Sequence, residues 1–310
     1  MKGIVIKSTG SWYTVMNEQK ELCNCRLKGQ FRVHGIRTTN PVSVGDHVTF
    51  ESEGTEDNGV ITGIDPRSNY IIRRSINLSK SSHIIASNID RLYIVASIML
   101  PRTSSGFIDR LLVTAEAYHI PAALIFNKTD IYTPQANERA AELMELYSSL
   151  GYPSYAVSAL EGTGLDALRR VLAGKVNLFS GHSGVGKSAL INALDPLLTI
   201  KTGEISSYHS KGMHTTTFAE MHPLSFGGYL IDTPGIKEFG LVHFESQEIS
   251  ERFPEFRALL SGCRYNNCTH VHEPGCAVKL ALDEGKINAE RYHNYLGLLN
   301  DENLDATDYE

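Results

Sequence analysis

No stretch of the 310-residue chain approaches the roughly 18 uninterrupted apolar residues that a membrane-spanning helix requires. The longest, Leu92–Leu100, is nine residues, is broken at Ser97 and stops at Pro101. The opening MKGIVIKSTGSW has too short an apolar run for a signal peptide, so the expectation is a soluble, cytoplasmic protein. Cysteine is scarce, and its count of five is odd, which disfavours a disulfide framework. Three of the five, Cys263, Cys268 and Cys276, crowd into fourteen residues beside histidines, which suits a metal in a reducing compartment. Cys23 and Cys25 stand apart and read as alternate residues of one strand. Charged residues at 21% and apolar residues at 42% exclude extended disorder and fibrous repeats. At roughly 100 to 200 residues per domain, the length excludes a single small module and leaves room for two or three.

Excess positive charge is also missing, since the net charge is -6. Its distribution matters more than its sum. From Asp283 to Glu310 eight acids face only Lys286 and Arg291, so the remainder of the chain is neutral. Within that remainder, residues 1–50 and 66–91 are each locally +4, a weak footprint for a phosphate backbone.

Residues 1 to about 65 hold five short strand patterns, GIVIKST, WYTVMN, LCNCRL, HVTFES and GVITGI, parted by turn residues. Five short strands fit a small closed barrel of the oligonucleotide-binding type, which leaves no bare edges. The connection after the third strand carries Lys28, Arg32, His34 and Arg37 around Phe31, a mix that suits single-stranded or looped RNA. From Arg91 the pattern alternates strands (LYIVASI, AALIFN, YAVS, VNLFSG) with amphipathic helices, the signature of a parallel sheet covered on both faces. After Pro234 the pattern is helices and loops around the cysteines.

Gly181, His182, Ser183, Gly184, Val185, Gly186, Lys187 and Ser188 match the phosphate loop G-x-x-x-x-G-K-[ST], directly after a strand and opening a helix. Its glycines let backbone N–H groups close on phosphate, Lys187 neutralises phosphate oxygens, and Ser188 offers a hydroxyl to Mg²⁺. Asn127, Lys128, Thr129 and Asp130 form NKTD at the end of another strand. The Asp130 carboxylate only accepts, and guanine presents it two adjacent donors, so this loop selects guanine. Ser158-Ala159-Leu160 resembles the loop that meets the guanine carbonyl through a backbone N–H. Asp232 in DTPG resembles a residue that holds Mg²⁺ through water, with the Gly235 N–H at the γ-phosphate. KGMHTTT before it supplies Thr216, then Thr215, as candidates for the remaining Mg²⁺ position.

Cys263-x4-Cys268-x-His270-x5-Cys276 provides three thiolates and an imidazole, the ligand set of a closed structural Zn²⁺ site. His272 competes as the imidazole. The guanine-reading loops precede the phosphate loop here, the reverse of the usual order, so the GTPase domain is circularly permuted. With the barrel in front and the cysteines behind, the chain resembles the bacterial ribosome small-subunit-dependent GTPase A family. The resemblance implies an α/β P-loop GTPase domain (69–240) between an all-β OB-fold barrel (1–68) and a helical zinc-binding domain (241–310). It implies a GTP-hydrolysing switch that matures the 30S subunit, contacts 16S rRNA and meets other assembly factors, acts as a cytoplasmic monomer, and uses one Zn²⁺ and Mg²⁺. Ile236 stands where many GTPases carry a water-orienting glutamine, so intrinsic turnover is expected to be slow and subunit-stimulated, with His214 as the internal catalytic candidate beside Lys187 and Thr216.

Overall fold

Val5, Tyr13, Val15, Cys25, Val48, Phe50 and Ile61 alternate along five short strands and meet inside a barrel. The computed structural model describes residues 1–28, 41–52, 58–74, 82–198, 219–232 and 246–300. The barrel strands are β1 (Lys2–Ser8), β2 (Tyr13–Asn17), β3 (Leu22–Leu27), β4 (His47–Ser52) and β5 (Asn58–Ile64). β1 pairs with both β2 and β4, and β3 runs parallel to β5, so the order β1-β2-β3-β5-β4 closes on itself as expected. Cys23 and Cys25 sit on one face of β3 with their sulfurs 3.6 Å apart, the strand alternation expected of them.

The next segment departs from the sequence expectation. A hairpin of β6 (Tyr70–Arg74) and β7 (Ser82–Ser87) was not anticipated, because YIIRR and SHIIAS lack clean apolar alternation. Arg67, counted above as basic footprint, has its side chain largely withdrawn from solvent. Its guanidinium meets Asp46 at 2.7 Å, and Ser87 Oγ donates to the same carboxylate at 2.6 Å. This paired, hydrogen-bonded charge joins the barrel to the hairpin that leads into the main sheet, and Arg67 is not available to a phosphate.

The main sheet holds β8 (Arg91–Ala96), β9 (Ala122–Phe126), β10 (Ser154–Ala156), β11 (Val176–Ser180), β12 (Glu220–Pro223) and β13 (Tyr229–Asp232). Its order is β10-β9-β8-β11-β13-β12, parallel except for β12, and Lys7 of β1 continues it through a bridge to Glu220. Alternate residues of β8 feed opposite layers. Leu92, Ile94 and Ala96 pack against α1 (Ser105–Ala117) and α2 (Pro134–Ser149), whereas Tyr93 and Val95 pack against α3 (Leu165–Leu172) and α4 (Lys187–Leu194). Full burial of Leu92, Ile94 or Val95 stabilises by about 1.5–3 kcal/mol each relative to exposure. Helix starts are capped locally: Ser104 accepts from the Phe107 N–H, and Thr133, followed by Pro134, accepts from Ala136.

The C-terminal module comprises α5 (Ser246–Glu251), α6 (Pro254–Arg257), α7 (Ala277–Asp283) and α8 (Ala289–Leu299) around Phe253, Phe256 and Tyr295. It docks on α1 through a buried charge. Arg291 of α8, 2% exposed, meets Asp109 of α1 at 2.5 Å and Glu255 at 2.8 Å, and its guanidinium lies 4.6 Å from the Phe253 ring centre. Burial alone would lower the Arg291 pKa; the two carboxylates outweigh it and raise it.

Candidate nucleotide and metal sites

The parallel strands end on one side of the sheet, and β8 and β11 are neighbours whose chains continue in opposite directions, β8 to β9 and β11 to β13. Such a reversal leaves a crevice beyond the strand ends where ligands bind. Residues 181–186 cross it between β11 and α4. At Gly181 a Cβ would sit 2.2 Å from the Val95 carbonyl oxygen, so the loop passes too close to β8 for any side chain. Gly186 caps α4 at φ +91°, and a Cβ there would lie 2.5 Å from the Asn127 amide nitrogen. Val185 is buried, Ser183 and Gly184 are exposed, and Ser188 is the second residue of α4. The His182 ring stacks on Phe107 of α1 with centroids 3.6 Å apart. Lys187 Nζ donates to the carbonyls of Gly181 and His182 at 2.6 and 2.7 Å, which holds its charge over the loop.

Asn127 ties three loops together from the end of β9. Its amide donates to the Val185 carbonyl at 2.9 Å, and its carbonyl accepts from the Ala159 N–H at 3.2 Å. The Ala159 N–H of the Ser158–Leu160 loop is thus directed at the Asn127 side chain. Ser158 is fully buried and donates to the Asp130 carboxylate at 2.5 Å while accepting from the Glu161 N–H at 3.0 Å. Its contact is therefore with the carboxylate of the NKTD segment. The Thr129 N–H donates to the Val157 carbonyl at 3.2 Å, and Lys128 adopts φ +68°. Ile231 pairs with Leu178, which places Asp232 at the end of β13 level with the end of β11. His214, Thr215, Thr216, Gly235 and Ile236 lie outside the described residues, as do Phe31, Arg32, His34, Arg37 and the acidic tail from residue 301. Lys28 is exposed just beyond β3.

In the C-terminal module Cys263, Cys268, His270 and Cys276 converge, their ligand atoms all within 4.8 Å of one another. A tetrahedral ion with bonds of about 2.0–2.3 Å sets its ligand atoms roughly 3.3–3.8 Å apart, so the group would close slightly round one. His270 Nδ1 is the inward nitrogen, 3.7 Å from Cys263 Sγ and 3.3 Å from Cys276 Sγ. Burial pushes the Cys268 thiol up to about 12, so a cation is what would hold it as thiolate. His272 is exposed and outside the group. Sequence reasoning missed Glu273, whose carboxylate accepts from Thr269 N and Oγ1 at 2.7 and 2.6 Å and from Val271 N and His272 N at 3.0 and 3.1 Å. It also missed Phe107, Asp109 and Arg291. An acid three residues from two ligands was a legible signal for Glu273; no spacing marks the others.

The RsgA GTPase family matches residues 64–242, and the RsgA N-terminal domain matches residues 2–61. The chain belongs to the RsgA GTPase family. As a member of that family it is a GTPase, with a circularly permuted GTPase domain between the barrel and the cysteine–histidine module. Small ribosomal subunit biogenesis GTPase RsgA of Bacteroides fragilis is 54% identical over 303 residues, 97% of each chain. The protein of the same name from Flavobacterium johnsoniae is 52% identical over 96% of this chain and 93% of its own. Among solved structures, YjeQ from Thermotoga maritima superposes with a TM-score of 0.78 at 33% identity over 97% of both chains. YloQ, a circularly permuted GTPase, gives 0.75 at 28% identity over 97% of this chain and 94% of its own. Among the described residues no helix is long and apolar enough to cross a membrane.

Proposed function

We propose that this RsgA-family GTPase is a timed switch in late assembly of the small ribosomal subunit. The reading is supported by relatives matched along 93–97% of their length, each named a small ribosomal subunit biogenesis GTPase. The observation that carries the nucleotide reading is Asn127, one side chain joining the phosphate loop to the Ser158–Ala159 loop. In this reading phosphates lie on Gly181–Ser188 with Lys187 as counter-charge, and guanine lies on Asn127, Lys128, Thr129 and Asp130, which Ser158 and Ala159 support. Ser188, Asp232 and Thr216 or Thr215 are hard oxygen donors of the kind Mg²⁺ prefers, and when bound that ion neutralises charge on the phosphate oxygens. Gly235 reports the γ-phosphate.

Domain limits of 1–68, 69–240 and 241–310 follow from the same reading, as do a cytoplasmic location and action as a monomer. The barrel contacts 16S rRNA through Lys28, Phe31, Arg32 and Arg37, and the metal is one structural Zn²⁺ on Cys263, Cys268, His270 and Cys276. Because Ile236 cannot bond a water, His214 supplies the catalytic contact when the protein is on the subunit. The test is GTP turnover with and without purified small subunits, with His214→Ala in parallel. Subunits raise the parent's rate steeply, by up to about 10³–10⁵ for a group completed by a partner, and the variant binds GTP normally yet loses the stimulation. Equal turnover with and without subunits would overturn the switch; full stimulation of the variant would move catalysis to another group.

A further inference from the structure

The loop joining β8 to α1, residues 97–104, belongs to none of the nucleotide motifs, yet it touches two of them. Tyr132, two residues beyond Asp130, donates its hydroxyl to the Asn127 carbonyl at 2.7 Å and accepts from the Ile98 N–H at 2.9 Å. Its ring is buried against Ile98, Met99, Ala136 and Ala140. Burial raises the phenol pKa, so the hydroxyl stays protonated and able to donate. The loop is also closed on itself. Thr103 Oγ1 accepts from the Ser97 N–H at 3.1 Å, and the Thr103 N–H returns to the Ser97 carbonyl at 2.8 Å. At its tip Leu100 takes φ +45°, a conformation branched side chains avoid, and thereby offers its carbonyl to Lys128 Nζ at 2.5 Å. Pro101 then lies beside the phosphate loop, where a Cβ on Gly184 would meet its ring at 3.4 Å.

We infer that the 97–104 loop, fastened by Tyr132 and Thr103, is a positioning element for guanine recognition. It anchors the Lys128 ammonium and the Asn127 backbone before nucleotide arrives, so the Lys128 stem and the Asn127 amide need no ordering on binding. Groups preset in this way tighten a complex mainly by slowing dissociation. Tyr132 and Thr103 touch no nucleotide in this account and act through Asn127 and Lys128. The inference rests on the reading of Asn127–Asp130 as the guanine-selecting loop.

The experiment is dissociation of a fluorescent GDP from the full chain, alongside kcat for GTP at saturation. Tyr132→Phe keeps the ring in its apolar cluster and removes two hydrogen bonds. Release should quicken by about tenfold, as expected for roughly 1.4 kcal/mol of lost bonding, with kcat within about twofold of the parent. Thr103→Val, remote from both nucleotide-reading side chains, should act in the same direction, and Thr103→Ser should restore slow release. A general loss of stability would not give that rescue together with an unchanged kcat. Parental release rates in Thr103→Val, or in a folded Tyr132→Phe, would overturn the inference, as would a fall in kcat without faster release. Asp130→Asn separates the two levels. If it leaves GTP affinity unchanged, the guanine assignment fails; if it weakens GTP while the Tyr132 and Thr103 variants release GDP at the parental rate, the brace alone fails.

Discussion

Ser158 shows how one hydroxyl can serve two masters. Its proton is committed to the Asp130 carboxylate and its lone pair to the Glu161 N–H, so Asp130 is oriented by a side chain with no solvent contact. A hydrogen bond to a charged group contributes about 1.5–3 kcal/mol net. Ser158→Ala should therefore weaken guanine nucleotide binding by about tenfold or more, measured calorimetrically, without admitting ATP. Unchanged affinity would show that Asp130 is oriented by its backbone alone. At this scale NKTD and the phosphate loop were legible because their chemistry demands those residue types in a fixed order. Tyr132, Phe107 and the Ser158–Asp130 hydrogen bond were not, because a hydrogen bond or ring stack between distant segments leaves no spacing in the sequence.

The cysteine–histidine segment is an element built from its own turns. The grouping of Cys263, Cys268, His270 and Cys276 was legible from spacing, but the rigidity of the loop between His270 and Cys276 comes from Glu273 collecting backbone N–H groups. Burial alone would raise the Glu273 pKa; those bonds and the Thr269 hydroxyl outweigh it and hold it at about 2. The folded value lies below the ordinary carboxylate range, so its contribution is complete above about pH 4.5 and is lost only as pH falls from there toward 2. Glu273→Gln should accordingly lower metal affinity by about 10–100-fold, as loss of groups supporting metal ligands does. The gap from the parent should stay constant from pH 6 to 8 in a competitive chelator titration. A gap that widens across that range would assign the effect to another titrating group.

For the whole molecule, a shared feature is that an ion pair withdrawn from solvent sits at both junctions of the central sheet domain, beside more exposed pairs such as Lys7–Glu220 and Arg139–Glu290. Asp46–Arg67 joins the barrel to the hairpin before β8, and Arg291 with Asp109 and Glu255 joins the C-terminal module to α1. The same α1 carries Phe107 against His182 of residues 181–186, so one helix contacts both the crevice beyond the strand ends and the C-terminal module. Removing one partner of such a pair leaves an uncompensated charge and costs about 3–5 kcal/mol. Arg291→Met should split thermal unfolding into two transitions, the C-terminal module melting first, with GTP affinity kept. Adding Asp109→Asn should recover part of the loss. A single, unshifted transition would show that the apolar contacts of Phe253, Phe256 and Tyr295 hold the junction without it.

Sequence alone determined what is local or chemically obligatory. The five barrel strands follow from period-two alternation, the β/α alternation from apolar runs and caps, and the permuted order of the nucleotide loops from motif positions that no fold could rearrange. Tertiary structure alone decided which side chains meet across those segments. Asn127 reaches Val185 because β9 and β11 end on the same side of the sheet. Arg67, one more positive charge in the sequence, is withdrawn from solvent because Asp46 and Ser87 converge on it. Burial and pairing depend on distances between segments that lie far apart in the chain, and only the folded arrangement sets those distances.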